Sequence, residues 1–259
     1  MSKHIPRKRF GQHFLSDQDV ITAIVHAIRP LDTDNLVEIG PGLGALTRPL
    51  LQYMPHFHVV ELDRDIVARL QRTYPPERLT IHAADALSFD FATPGEALRI
   101  VGNLPYNIST PLLFHLAEFA ERIIDIHVML QKEVVDRMTA CPGTHDYGRL
   151  SVMLQYRFDM EALFDVPPAA FEPPPKVDST VVRMIPRRTL EMPADDAAQL
   201  ARIVACAFSQ RRKTLRNTLA GILTAADFAH LDIDPQRRAE TVSVAEFIRI
   251  ANFVTKEKP

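Results

Sequence analysis

The apolar and polar positions of the first half of the chain alternate between two rhythms. Residues 36–39, Leu-Val-Glu-Ile, run into Gly40-Pro41-Gly42-Leu43-Gly44, after which Leu46, Leu50 and Leu51 keep helical spacing, so the segment predicts strand, glycine turn, helix. The unit recurs. Strand 57–61 precedes helix 64–73, strand 79–82 stands alone, strand 98–102 precedes helix 110–121, and strand 123–130 leads into a helix from about 131. This alternation predicts an α/β fold with a doubly wound, mainly parallel sheet covered on both faces. In such sheets ligands bind beyond the carboxyl ends of the strands, which places the chemistry in the turns after 39, 61, 82 and 102.

The pattern changes at 166–175, where five prolines in ten residues exclude a regular element. A strand at 180–185 follows, and Arg187 to Pro193 reads as a linker into an all-helical unit. Its helices are expected near 195–209, 213–220, 225–231 and 243–255, from spacings such as Leu215/Leu219 and Phe247/Ile250/Ala251. The expected domains are therefore 1–186 and 187–259.

Composition narrows the class. With 46% hydrophobic and 24% charged residues, the 259-residue chain is that of a folded globular protein. No apolar run approaches the ~18 residues of a spanning helix, and Met1 to Asp17 is basic and polar without a signal peptide's apolar block, so neither membrane nor secretion is expected. Cys141 and Cys206 are the only cysteines, which excludes a disulfide framework and fits the cytoplasm.

Charge is unevenly shared: residues 1–185 carry 18 basic and 23 acidic side chains, a net of −5, whereas 186–259 carry 12 and 9, a net of +3. Lys3, Arg7, Lys8 and Arg9 form one basic patch. Arg202, Arg211, Arg212, Lys213 and Arg216 form another, in a stretch from 202 to 217 without an acid. Together they point to a phosphate-bearing partner such as RNA.

The turns supply candidate chemistry. Gly40, Gly42 and Gly44 let a ligand approach main-chain amides. Glu61, 21 residues after Gly40 at the end of the next strand, is placed to accept both hydroxyls of a ribose. At that point NAD and S-adenosylmethionine both remain open. Asp85, in Ala83-Ala84-Asp85-Ala86, is either an acceptor for an adenine amine or a turn aspartate. Asn103-Leu104-Pro105-Tyr106 suits chemistry on an exocyclic amine. The Asn103 amide oxygen and the Leu104 carbonyl would accept its two N–H bonds, freeing a lone pair that is otherwise delocalised into the base. Pro105 lacks an N–H and fixes its own φ, and the Tyr106 ring would stack on the base. No histidine or cysteine cluster has metal-ligand spacing, and His56/His58 read as exposed positions on a strand, so no metal is expected.

Across nearly its whole length the chain resembles the KsgA/RsmA family of small-subunit rRNA adenine dimethyltransferases, a group of class I, Rossmann-like methyltransferases. The resemblance is carried by Phe10-Gly11-Gln12-His13-Phe14-Leu15, Glu38-Ile39-Gly40-Pro41-Gly42-Leu43-Gly44, Glu61, Asp85, Asn103-Leu104-Pro105-Tyr106, the segment from Phe171 to Ser179, and Phe208-Ser209-Gln210-Arg211-Arg212-Lys213-Thr214-Leu215-Arg216-Asn217. It implies S-adenosylmethionine as cofactor. Gln12, His13 and Leu15 would close over its methionine half, Gly40 would contact it through backbone, and Glu61, Asp85 and Asn103 would hold ribose, adenine and the transfer site. Phe171 would stack the target base opposite Tyr106. Many members have asparagine at the place of His13; a neutral imidazole also donates and accepts.

The activity so implied is methyl transfer to the N6 atoms of two adjacent adenosines near the 3′ end of 16S rRNA, by a monomer whose helical domain binds RNA or the small subunit. Three alternatives compete. A 23S rRNA methylase of the macrolide-resistance type shares the N-terminal domain, but residues 208–215 and the helical tail favour the small-subunit enzyme. A non-catalytic ribosome-assembly factor would not require intact Asn103, Tyr106, Glu61 and Asp85. A dehydrogenase accounts for neither residues 103–106 nor the basic patches.

Overall fold

The five apolar runs between residues 35 and 131 that read as strands all join one sheet. The computed structural model describes residues 13–189 and 192–257. In chain order it places β1 (Phe14–Leu15), α1 (Gln18–Ile28), β2 (Asn35–Ile39), α2 (Thr47–Leu50), β3 (Phe57–Glu61), α3 (Arg64–Thr73), β4 (Leu79–Ala83), β5 (Leu98–Asn103), α4 (Ser109–Glu118), β6 (Ile123–Gln131), α5 (Lys132–Thr139), α6 (Arg149–Arg157), β7 (Phe158–Val166), β8 (Phe171–Glu172) and β9 (Ser179–Pro186). The helices α7 (Ala197–Ala207), α8 (Leu215–Thr218), α9 (Ala225–His230) and α10 (Val244–Glu257) follow. Among the described residues no helix is long and apolar enough to cross a membrane.

The large sheet has the order β4-β3-β2-β5-β6-β9-β7. Its first five strands are mutually parallel, and β9 joins β6 antiparallel, with Ile126 opposite Met184 and Gln131 opposite Ser179. The inner strands β2, β3 and β5 are buried on both faces, as their largely apolar letters require: Leu36, Val37, Val59, Ile100 and Val101 have no exposed surface. Each such side chain contributes about 1.5–3 kcal/mol of burial. The helix α3 shows the local logic. Asp63 caps it by accepting from the Asp65 N–H at 3.0 Å, and Ile66, Val67 and Leu70 form its buried stripe.

Three strands, β1, β7 and β8, were not foreseen. The edge strand β7, Phe-Asp-Met-Glu-Ala-Leu-Phe-Asp-Val, exposes or half-exposes its middle and lacks a clean two-residue alternation. Within the proline-rich segment, Phe171–Glu172 still pairs antiparallel with Phe14–Leu15, a correction to the expectation that no regular element forms there. Two residues suffice because Leu15 and Phe171, directly opposite, are both buried.

The chain divides into two compact units: residues up to Val135 with Asp159–Pro186, and Asp136–Phe158 with Arg187 onward. The segment 136–158, assigned from sequence to the first domain, belongs with the second. The reason is packing. Tyr147, Val152 and Tyr156 share one core with Leu200, Ile203 and Val204 of α7 and Phe247, Ile250 and Val254 of α10. The Tyr147 hydroxyl also donates to the Val242 carbonyl at 2.9 Å.

Candidate functional site

A cavity of about 550 Å³ opens at the carboxyl ends of the strands, a size suited to a nucleoside-scale ligand. Its lining includes His13, Leu15, Gly40, Glu61, Asp85, Asn103, Leu104, Pro105 and Tyr106. Of the residues singled out in the sequence, Gln12 lies outside the described residues, as do the first basic patch and Phe10-Gly11. Phe171 is the one the structure places elsewhere.

The glycine turn leaves β2 with Gly42 at φ +54°, where a Cβ would also come within 3.1 Å of the Phe14 ring; only glycine fits both demands. The preceding residue but one, Gly40, lies beside the Asn103 carbonyl and the Pro105 ring, which brings the first and fourth turns together. Their closeness has a cause one residue back. At Gly102 a Cβ would sit 2.4 Å from the Ile39 carbonyl oxygen, so β5 and β2 approach as only a glycine permits.

Carboxylates stand at three strand ends. Glu61, 9% exposed, accepts from the Asp63 N–H at 2.8 Å and from the backbone of Gly42 and Leu62. Burial raises its pKa, and those N–H groups oppose the rise by bonding to the charged form. Asp85 lines the cavity while its Oδ1 accepts from the Leu87 N–H at 3.0 Å, so it serves its own turn with one oxygen. The third, Glu38, received no role from sequence. It is 2% exposed, lines the cavity, and accepts from the Thr47 hydroxyl at 2.6 Å. Burial, reinforced by the charge of Glu61, pushes its carboxyl up to about 8. The available signal was a glutamate inside the apolar run Leu-Val-Glu-Ile.

The fourth turn continues the ladder of β5, since the Leu104 N–H donates to the Met129 carbonyl at 3.1 Å. Asn103 donates from Nδ2 to the His13 carbonyl at 3.0 Å, which fixes the amide and leaves Oδ1 as an acceptor. Among the described residues no donor reaches Asn103 Oδ1 or the Leu104 carbonyl. Two neighbouring acceptors are thus open in the cavity wall. The Tyr106 hydroxyl is 2.7 Å from Ser179 Oγ, its carbonyl accepts from Ser109 Oγ at 3.1 Å, and burial keeps the phenol's pKa above its usual value.

The His13 ring stacks on Tyr106 with centroids 5.6 Å apart and planes 26° apart, and its Nδ1 is 2.8 Å from the Pro173 carbonyl oxygen. Phe171 is corrected here: 4% exposed, it lies in the core with Leu15 and Ile21, and its neighbour Glu172 lines the cavity instead. The period of two in β8 explains the exchange, because one of two successive side chains must face the core. Of the expected pair of rings, only Tyr106 borders the cavity.

No cluster of three or more metal-ligating side chains that could hold a metal ion occurs among the described residues. His58 and His82 instead lie 3.1 Å apart, Nδ1 to Nε2, with their pKa values lowered mainly by burial, so the pair is neutral and hydrogen-bonded.

Residues 3–256 match the family described as ribosomal RNA adenine dimethylase. A Thiobacillus denitrificans protein named ribosomal RNA small subunit methyltransferase A is 65% identical over 251 residues, spanning 97% of this chain and 98% of that one. A protein of the same name from Laribacter hongkongensis is 64% identical over 254 residues, covering 97% of each. Among solved structures, a dimethyladenosine transferase from Plasmodium falciparum superposes with a TM-score of 0.78 at 24% identity, over 92% of this chain and 96% of its own. The 23S rRNA methyltransferase ErmE gives 0.71 at 24% identity, over 94% and 100%. These two likenesses establish the fold.

Proposed function

Because the chain belongs to the ribosomal RNA adenine dimethylase family, we propose that it transfers methyl groups from S-adenosylmethionine to the N6 atoms of two adjacent adenosines near the 3′ end of 16S rRNA, giving N6-dimethyladenosine. The choice of the small subunit follows the names of the relatives. The observation that carries the chemistry is the pair of open acceptors, Asn103 Oδ1 and the Leu104 carbonyl, beside the Gly40 turn.

The cavity fits the cofactor on its own features. Glycines at 40 and 42 leave backbone exposed where a side chain would intrude, and a buried carboxylate, Glu61, ends the neighbouring strand. Gly40 and Leu15 would hold the methionine half, Glu61 the ribose hydroxyls, and Asp85 the adenine amine through the oxygen its own turn does not use. His13 enters through its backbone, by holding Asn103. When bound, the cofactor supplies a methyl group already activated by its sulfonium.

The rest is the work of the fourth turn. Asn103 Oδ1 and the Leu104 carbonyl accept the two N–H bonds of the target amine and so turn its lone pair out of conjugation. As positive charge grows on that nitrogen, its N–H groups become stronger donors, and the same two bonds tighten in the transition state. Tyr106 presents its ring to the base, which must leave its RNA stack to reach the cavity. In the second unit, Arg202, Arg211, Arg212, Lys213 and Arg216 are exposed and suit RNA phosphates, although Arg211 also donates to the His145 carbonyl and pairs with Glu240 at 3.7 Å. We place the protein in the cytoplasm, where ribosomes are assembled, acting as a monomer.

The test is transfer of tritiated methyl groups to unmethylated small subunits, with the product nucleoside identified. N6-dimethyladenosine in small-subunit RNA is expected; label confined to 23S rRNA, or no transfer by folded protein, overturns the proposal.

A further inference from the structure

Ser179 opens β9, and its hydroxyl is 2.7 Å from that of Tyr106. No exposed surface remains on it. Its position is over-determined by the sheet. Ser179 pairs with Gln131 at the carboxyl end of β6, the register running unbroken back to Met184 opposite Ile126. Its neighbour Thr180 donates to Asp165 Oδ1 at 2.6 Å, and the Asp178 carbonyl accepts from the Lys132 N–H at 3.0 Å. Two residues before Gln131 in the same strand, the Met129 carbonyl holds the Leu104 N–H. One strand therefore locates both the acceptor turn and the hydroxyl that meets Tyr106.

We propose that Ser179 is a positioning residue for methyl transfer: its hydroxyl, fixed by β9, sets the tilt of the Tyr106 ring against the target base. The proposal rests on the reading of Tyr106 as the ring that stacks on that base. The Tyr106 backbone is already tied through its carbonyl to Ser109, so the freedom left is rotation about the side-chain bonds, and a contact at the ring's far end removes it. The phenol keeps its proton through neutral pH because burial raises its pKa, so the contact is a hydrogen bond between two neutral hydroxyls. Neither hydroxyl enters the reaction; the gain is a ring held parallel to the base before the base arrives.

The experiment is a double-mutant cycle on the full chain, using single-turnover methylation of unmethylated small subunits. Ser179→Ala should slow transfer about tenfold, the scale of one net hydrogen bond, with S-adenosylmethionine affinity unchanged. Tyr106→Phe reaches the same contact from its other end and should slow transfer to a similar degree, far less than Tyr106→Ala. In the Tyr106→Phe background, adding Ser179→Ala should change nothing further. Equal slowing by Ser179→Ala in both backgrounds would show that it acts through something other than Tyr106, and a wild-type rate in Ser179→Ala would also overturn the inference. If Tyr106→Ala itself methylates normally, the stacking reading fails, an outcome distinct from the failure of Ser179 alone.

Discussion

At the amino ends of β5 and β6, Arg99 lies between two aspartates, its Nη1 donating to Asp34 at 2.6 Å and its Nε and Nη2 to Asp125 at 3.0 and 2.8 Å. Its remaining capacity is taken by the carbonyls of Ile28 and Arg29. At the carboxyl ends of the same sheet, Glu38 has Thr47 as its side-chain partner, Asp85 uses one oxygen for its turn, and Asn103 keeps Oδ1 open. Both ends bury charged or polar groups. They differ in saturation: the Arg99 cluster is closed upon itself, whereas the cavity end holds acceptors that no donor reaches among the described residues. Burial of a polar group marks structure when its partners are present, and function when they are missing. His127 is the exception, buried with neither ring nitrogen in a hydrogen bond among the described residues, its Nδ1 3.8 Å from Asp125 Oδ1.

Four experiments break or sharpen this contrast. Arg99→Met leaves two half-buried carboxylates facing each other and should cost about 3–5 kcal/mol in urea unfolding, with cofactor affinity of the folded protein unchanged. A cost below about 1 kcal/mol would mean that the closed cluster is not structural. Asn103→Ala should reverse the pattern, lowering the methylation rate about 10²–10³-fold while stability and cofactor binding hold. Near wild-type turnover would sink the amine-orienting role. Glu61→Ala should weaken S-adenosylmethionine binding by roughly 1.5–3 kcal/mol in calorimetry; an unchanged Kd would remove it from the ribose.

The smallest effect concerns Glu38. Its carboxyl, at about 8 in the fold against an ordinary 4.5, favours the protonated form on folding. Stability from this group is therefore complete below about pH 4.5 and lost as pH rises through about 8. Glu38→Gln keeps the shape without the charge, so its Tm should gain on wild type by about 2–4 °C or more between pH 5 and 9. A constant difference across that range would show that Glu38 does not titrate there.

The cavity end was largely legible because its turns break local rules: glycines cluster after a strand, and Asn-Leu-Pro-Tyr follows an apolar run. The bounds of β3 and α3 matched the sequence expectation for the same reason, strong periodicity between clear stops. What escaped depends on partners distant in the chain. Phe171, which the resemblance sets against the target base, takes its place in the core only once Leu15 is opposite it. The shift of Glu38 needs the depth of β2 and the charge of Glu61, and the demand on Gly102 needs the Ile39 carbonyl. The Arg99 cluster joins residues 34, 99 and 125, which no local pattern connects.

The interleaving of the two units governs how this protein comes into being. The chain passes between them after Val135, after Phe158 and after Pro186. During synthesis, residues 136–158 emerge with Val152 and Tyr156 uncovered, and the side chains that cover them, from Leu200 to Val254, arrive later. The helical unit thus closes only once Val254 has been made. A fragment cut at 186, where composition suggests a clean boundary, would carry the first helix of a core it does not possess and present that apolar stripe to every other copy. The catalytic half is separable on paper and continuous in matter, and its expression alone requires excising 136–158 as well.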